Sequence, residues 1–206
     1  MTTLRLAVAA ISALVVASCG SILPKPPPAP QLFHLTALPS FGTAGAPIPL
    51  QLVVAAPTAT AAFDTTRIAL ARGPNRVDYF ADAAWTDQAP QMLQSLIVES
   101  LQNAGRFSVV AQEAAPLRAD VLMVVVLRHF EADYGGGGPP DIRVAFDCDL
   151  VRMPERTSIA TQTFAASARA TQNATPAIVA AFDDAFHRTM AAVVPWAADT
   201  LAARPK

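Results

Sequence analysis

The sequence predicts an α+β protein: an antiparallel or mixed β-sheet with two α-helices packed on one face, a two-layer sandwich. Three observations predict it. The apolar pattern gives strands, one helix, more strands and a second helix, rather than a helix after every strand. Asp141 to Arg152 alternates with period two, placing Ile142, Val144, Phe146, Cys148 and Leu150 on one face and Asp141, Arg143, Asp147 and Asp149 on the other. Such alternation marks a sheet with one buried and one wet face. Two apolar stripes of helical period are each introduced by polar residues followed by proline, at Thr86–Pro90 and Thr175–Pro176.

The elements follow in order. Gln31 to Thr36 reads as a first strand, and Leu50 to Ala56 as a second, nearly continuous apolar one. Arg67 to Ala71 and Arg76 to Phe80 flank Arg72-Gly73-Pro74-Asn75, a composition suited to a tight connection. Met92, Leu93, Leu96, Ile97, Ser100 and Leu101 repeat at helical spacing, and Gly105 is placed to end that helix as a left-handed cap. Phe107 to Ala111 and Asp120 to Tyr134 are strands, the second opening on the apolar run Val121 to Leu127. Gly135 to Pro140 turns the chain into Asp141–Arg152, and Pro154-Glu155-Arg156 turns it again into Thr157–Ala170. In the second helix Ile178, Val179, Phe182, Phe186, Met190 and Val193 form the stripe, with Thr175 as a candidate cap. Pro195 is expected to kink or end it, with helix able to resume towards Leu201.

Ahead of this domain the composition changes twice. Met1 to Arg5 is short and carries one positive charge, Leu6 to Val16 is apolar or small, and Val16-Ala17-Ser18-Cys19 closes the run. Eleven apolar residues suit the central region of a secretion signal and fall short of a membrane span. The closing residues resemble the lipobox of bacterial lipoproteins, in which small residues pass a narrow peptidase groove and the cysteine sulfur takes diacylglycerol. Residues 1–18 are therefore expected to be a lipoprotein signal peptide and Cys19 the lipid attachment point. Residues 19–30, with five prolines, form a Pro-rich tether, and residues 31–206 the folded domain.

Composition narrows function. The chain is 52% hydrophobic and only 15% charged, which excludes a disordered polymer. Net charge is −1 with no basic, aromatic-laced stripe, so no nucleic-acid partner is expected. Cys148 is the one cysteine besides Cys19, which leaves no disulfide framework. No catalytic constellation assembles. His34, His129 and His187 lack metal-ligand spacing, no G-x-S-x-G occurs, and Gly135–Gly138 lacks the Lys-Ser/Thr of a phosphate loop. Asp147 and Asp149 can form a carboxylate pair or simply an exposed charged face. Asn173-Ala174-Thr175 fits a glycosylation sequon, but Thr175 is better used as a cap. The expectation is no enzyme, no cofactor and no metal. Phe63, Tyr79, Phe80 and Trp85 gather between the second strand and the first helix. Core packing accounts for such residues first; docking, assembly into a homo-oligomer or lipid contact comes second.

The order of features resembles the ABC-type transport auxiliary lipoproteins, the PqiC-like group. The resemblance rests on the proline tether followed by Gln31-Leu32-Phe33-His34-Leu35, on Phe63-Asp64-Thr65-Thr66-Arg67-Ile68, on Asn75-Arg76-Val77-Asp78-Tyr79-Phe80-Ala81 with Trp85, and on a helix ending at Gly105-Arg106-Phe107. It covers essentially the whole mature chain. It implies a lipid-anchored periplasmic domain that accompanies an ABC permease, its ATPase and an MCE-domain protein in moving phospholipids or other hydrophobic molecules across the envelope. It supplies no catalytic residue. Gly20 stands where an aspartate would, in many such bacteria, favour inner-membrane retention, so the expected location is the inner leaflet of the outer membrane. Two other classes remain: a free-standing envelope lipoprotein with a structural or assembly role, and an envelope hydrolase.

Overall fold

The computed structural model describes residues 29–40, 45–115 and 118–203. The signal segment, Cys19 and most of the tether lie outside them. The described residues form one mixed sheet of nine strands with two helices, as the alternation and the helical stripes predict. The strands are β1 (Gln31–Phe33), β2 (Ile48–Val54), β3 (Thr58–Ala59), β4 (Arg67–Ala71), β5 (Val77–Trp85), β6 (Phe107–Gln112), β7 (Val121–Asp133), β8 (Asp141–Arg152) and β9 (Thr157–Arg169). Helix α1 is Ala89–Asn103 and α2 is Thr175–Ala202.

The sheet is organised around β7. One edge of β7 pairs antiparallel with β8 along its length, and β8 pairs antiparallel with β9. The other edge is shared end to end by three parallel neighbours: β2 at Val121–Met123, β3 at Val126 and Leu127, and β4 at Glu131–Asp133. The sheet therefore fans. Beyond β2 lies β6, and beyond β4 lie β5 and β1. Three short strands can share one edge because β7, at about 3.3 Å per residue, is about 40 Å long.

Face assignment follows the alternation. Ile142, Val144, Phe146, Cys148 and Leu150 are buried against α2, with Phe146 and Phe186 rings 6.3 Å apart. Parallel register puts Leu52 and Val54 of β2 on the same side, level with Val121 and Met123, and α1 closes over β2 and β6. One continuous apolar core results. Its centre is an aromatic triad: Trp85 lies 5.4 Å from Phe130 and 5.2 Å from Phe182, and Phe130 lies 5.0 Å from Phe182, all three fully buried.

Four local expectations are corrected. The first strand stops at Phe33 rather than Thr36, because residues 34–40 leave the sheet and run as a strap between the helices. Leu35 and Leu38 are buried there. Thr36 donates its backbone N–H and hydroxyl to the Asp183 carboxylate at 2.7 and 2.8 Å, and the Leu38 N–H donates to Ser100 Oγ at 3.0 Å. The strand after Asn75 runs on to Trp85, which carries that tryptophan into the core. Pro195 does not end α2, which continues through it to Ala202. The proline removes one backbone donor, but Val193, Val194, Ala197, Ala198 and Leu201 are buried on either side and hold the helix in place. Thr175 is the first helical residue, not the cap; Ala174 occupies the cap position, and no side chain caps it. Gly105 does adopt the left-handed conformation that ends α1, with φ 63°.

Candidate functional site

The sequence-derived candidates stay apart. His34 is exposed at the start of the strap, and His187 sits on α2 with Nε2 3.0 Å from the Thr36 carbonyl, an atom to which it can only donate. His129 is on β7, its Nδ1 2.8 Å from Glu131 Oε1. Among the described residues no group of three metal-ligating side chains converges. Asp147 and Asp149 share the open sheet face as predicted, but their partners give them structural work. Asp147 accepts the Thr163 hydroxyl and pairs with Arg128, and these contacts hold its carboxyl below the usual range. Asp149 accepts the hydroxyls of Ser158 and Thr161. A general acid needs the opposite shift. Asn173 of the sequon accepts the Tyr134 hydroxyl at 2.7 Å.

Cys148 lies in the core as the alternation requires. Burial, with Asp147 adding to it, pushes its thiol up to about 12. Reaction goes through the thiolate, so a thiol reagent at neutral pH is expected to label native Cys148 at least about a thousandfold more slowly than the unfolded chain. Time courses with and without guanidinium check this; fast stoichiometric labelling of native protein would place the sulfur at the surface.

The aromatic group resolves into core. Trp85 and Phe63 are buried, and Tyr79 and Phe80 pack half-buried against the same core. Tyr79 donates its hydroxyl to the Ala62 carbonyl at 3.3 Å, and its ring carries the Arg67 guanidinium at 3.8 Å. The sequence did not reveal Glu131, a buried carboxylate on β7. A register shift between Leu127 and His129 switches the buried set from odd to even residues, and Glu131 accepts the Phe130 N–H at 2.8 Å beside that shift. Alternating apolar residues broken by Arg128-His129 are the only trace of it in the sequence.

Among the described residues, two recesses lie at opposite ends of the sheet. The larger, of about 960 Å³, opens where β2 and β7 begin, the β8–β9 turn protrudes and α2 ends. Ile48, Val121 and Leu201, all buried core residues, reach it from inside, and Leu50, Met153 and Ile159 line it half-buried. Its charged members balance, Arg118 and Arg152 against Asp120 and Glu155. It is thus an opening of the sandwich between sheet and α2, able to take an apolar group. The smaller, of about 600 Å³, lies on the β4–β5 hairpin among Arg67, Leu70, Arg72, Arg76, Val77, Asp78 and Tyr79.

A fanned mixed sheet covered on one face by two helices, with an apolar opening between sheet and α2, defines an α+β two-layer domain. The chain belongs to the ABC-type transport auxiliary lipoprotein component family, whose model matches residues 33–194. That is a family of auxiliary lipoproteins, not a known enzyme family, and membership places the chain with transport-associated proteins of the cell envelope. A solved structure from Xanthomonas campestris, described under the family name DUF330, is 25% identical with a TM-score of 0.77, covering 82% of this chain and 95% of that one. An uncharacterized protein of solved structure aligns with a TM-score of 0.64 at 12% identity, over 82% of this chain and 99% of its own. A hypothetical protein of Chlamydia trachomatis aligns with 0.51 at 8%, over 76% and 99%. These last two share the fold. No curated protein matches the chain.

Proposed function

We propose that the protein is the lipid-anchored, periplasmic, non-catalytic partner of an ABC/MCE-type system that moves phospholipids or other hydrophobic molecules across the cell envelope. The family match over residues 33–194 carries this reading. Cys19, at the end of the signal-like segment, supplies the anchor, and Gly20 favours the inner leaflet of the outer membrane. Among the described residues no metal-ligating cluster converges, and in this reading the energy for transport comes from a partner ATPase. The apolar recess between sheet and α2 is the surface best suited to receive a hydrophobic segment of the MCE-domain protein or the chain of a transported molecule.

Deleting the gene is expected to reproduce loss of the associated permease, read as sensitivity to detergents and membrane-active compounds. Crosslinking in cells is expected to recover an MCE-domain protein. An intact barrier in the deletion strain, together with no MCE or permease crosslink, would overturn the transport reading.

A further inference from the structure

We infer that the tip of the β4–β5 hairpin rests on the anionic phospholipid surface of the membrane that holds the chain, an inference that depends on Cys19 being the lipid anchor. The argument begins with where the tether enters. β1 is the first described strand, and it pairs parallel to β5 with Gln31 opposite Ala83. The chain therefore arrives at Gln31 from the side of the hairpin tip. Val77, at that tip, lies six residues before Ala83, or about 20 Å along the strand. The twelve residues Cys19–Pro30 can span at most about 40 Å. A lipid on Cys19 thus leaves enough chain for the tip to touch the bilayer. The apolar recess lies in the other direction, about 30 Å away along β7, and faces the periplasm in this orientation.

Charge singles out the same end. The hairpin carries Arg67, Arg72 and Arg76 against Asp78 and Asp82, and at its tip Arg72 and Arg76 share one carboxylate, Asp78, which Arg76 approaches at 2.9 Å and Arg72 at 3.7 Å. The neighbouring hairpin at this end is neutralised pair by pair, Arg143 with Asp133 and Arg169 with Asp141. The recess rim is balanced as well, so the tip carries a cationic surplus on a chain whose net charge is −1. Large exposed apolar side chains among the described residues are Leu32 and Val77, 65% and 46% exposed, and both lie on the β1–β5 edge. An apolar side chain flanked by arginines suits the boundary between headgroups and acyl chains. Each arginine close to an anionic surface strengthens binding about fivefold.

The test uses the acylated chain reconstituted in vesicles, with an environment-sensitive dye attached through Val77→Cys. Cys148 is buried and does not compete for the label. A second preparation carries the dye through Glu155→Cys, at the exposed β8–β9 turn of the opposite end. On vesicles containing phosphatidylglycerol the dye at position 77 is expected to shift to the blue relative to phosphatidylcholine alone, while the dye at 155 does not. Raised salt, or Arg72→Ala with Arg76→Ala, is expected to return position 77 to its phosphatidylcholine value. These arginine side chains are more than half exposed, so their removal leaves the fold intact. Co-flotation with equal emission at 77 and 155 would overturn the docking and leave the anchor standing. Failure of the chain to co-float would overturn the anchor, and the docking with it.

Discussion

Replacing Phe182 with alanine is expected to lower the free energy of unfolding by about 4 kcal/mol. The side chain is fully buried on the face of α2 that meets the sheet, and its ring stands edge-on to Trp85 and to Phe130. Truncation removes a large apolar group, leaves a cavity that the neighbouring rings cannot fill, and breaks two edge-to-face contacts. A domain of this size has a total stability of about 5–15 kcal/mol, so the loss is a large share of it. Urea or guanidinium titration of the two proteins, followed by the fluorescence of Trp85 and Trp196, measures it. The midpoint should fall markedly with the slope unchanged. Leu32→Ala provides the contrast: at 65% exposure its change should be within about 0.5 kcal/mol. A Phe182→Ala loss as small as that would mean the triad does not anchor α2 to the sheet.

The same triad shows what the sequence could and could not disclose. Phe182 was legible, because it repeats with Ile178 and Phe186 at helical spacing and belongs to a stripe whatever the rest of the fold does. Cys148 and its β8 neighbours were legible for the same local reason, since period-two alternation alone fixes their face. Trp85 was legible only as one of a cluster. Its place beside Phe130 depends on β5 running on through Ala83 and Ala84, and on a register shift in β7 that moves Phe130 into the buried set. Neither is a local property. The strap at residues 34–40 was hidden for a related reason. Leu35 and Leu38 are spaced for a helix and Leu32-Phe33-His34-Leu35 reads as a strand, yet hydrogen bonds to Asp183 and Ser100, more than sixty residues away, decide the path. β3, two residues long, owes its existence to the edge β7 leaves free between β2 and β4. The apolar recess was invisible because its walls come from five separate stretches of chain. The proposed lipid-attachment residue was the reverse case: Cys19 was read from four adjacent residues and falls outside the described structure.

Cys19→Ser is expected to move the protein from the membrane fraction to the soluble periplasmic fraction and to abolish labelling with palmitate. Among the described residues no helix is long and apolar enough to cross a membrane. α2 has the length, at 28 residues, but Asp183, Asp184, Arg188 and Asp199 interrupt its apolar content. No described helix offers a membrane-spanning attachment, and the acylated cysteine is the proposed anchor. Each acyl methylene contributes about 0.8 kcal/mol; one chain gives only reversible binding, while two or more hold a protein on the bilayer stably. The hairpin arginines, at about 1 kcal/mol each near an anionic surface, can orient an anchored domain but are too weak to replace the anchor. The serine variant should accordingly float free even with Arg72, Arg76 and Val77 intact. It should also melt at the parental temperature, because Cys19 precedes the first strand by twelve residues and the core is built from residues far downstream. Fractionation, metabolic palmitate labelling and thermal melting of the same variant test the three statements separately. Palmitate labelling of Cys19→Ser would sink the anchor assignment outright. A variant that loses the label but stays in the membrane fraction would instead show that the apolar segment Leu6–Val16 is retained and does the anchoring.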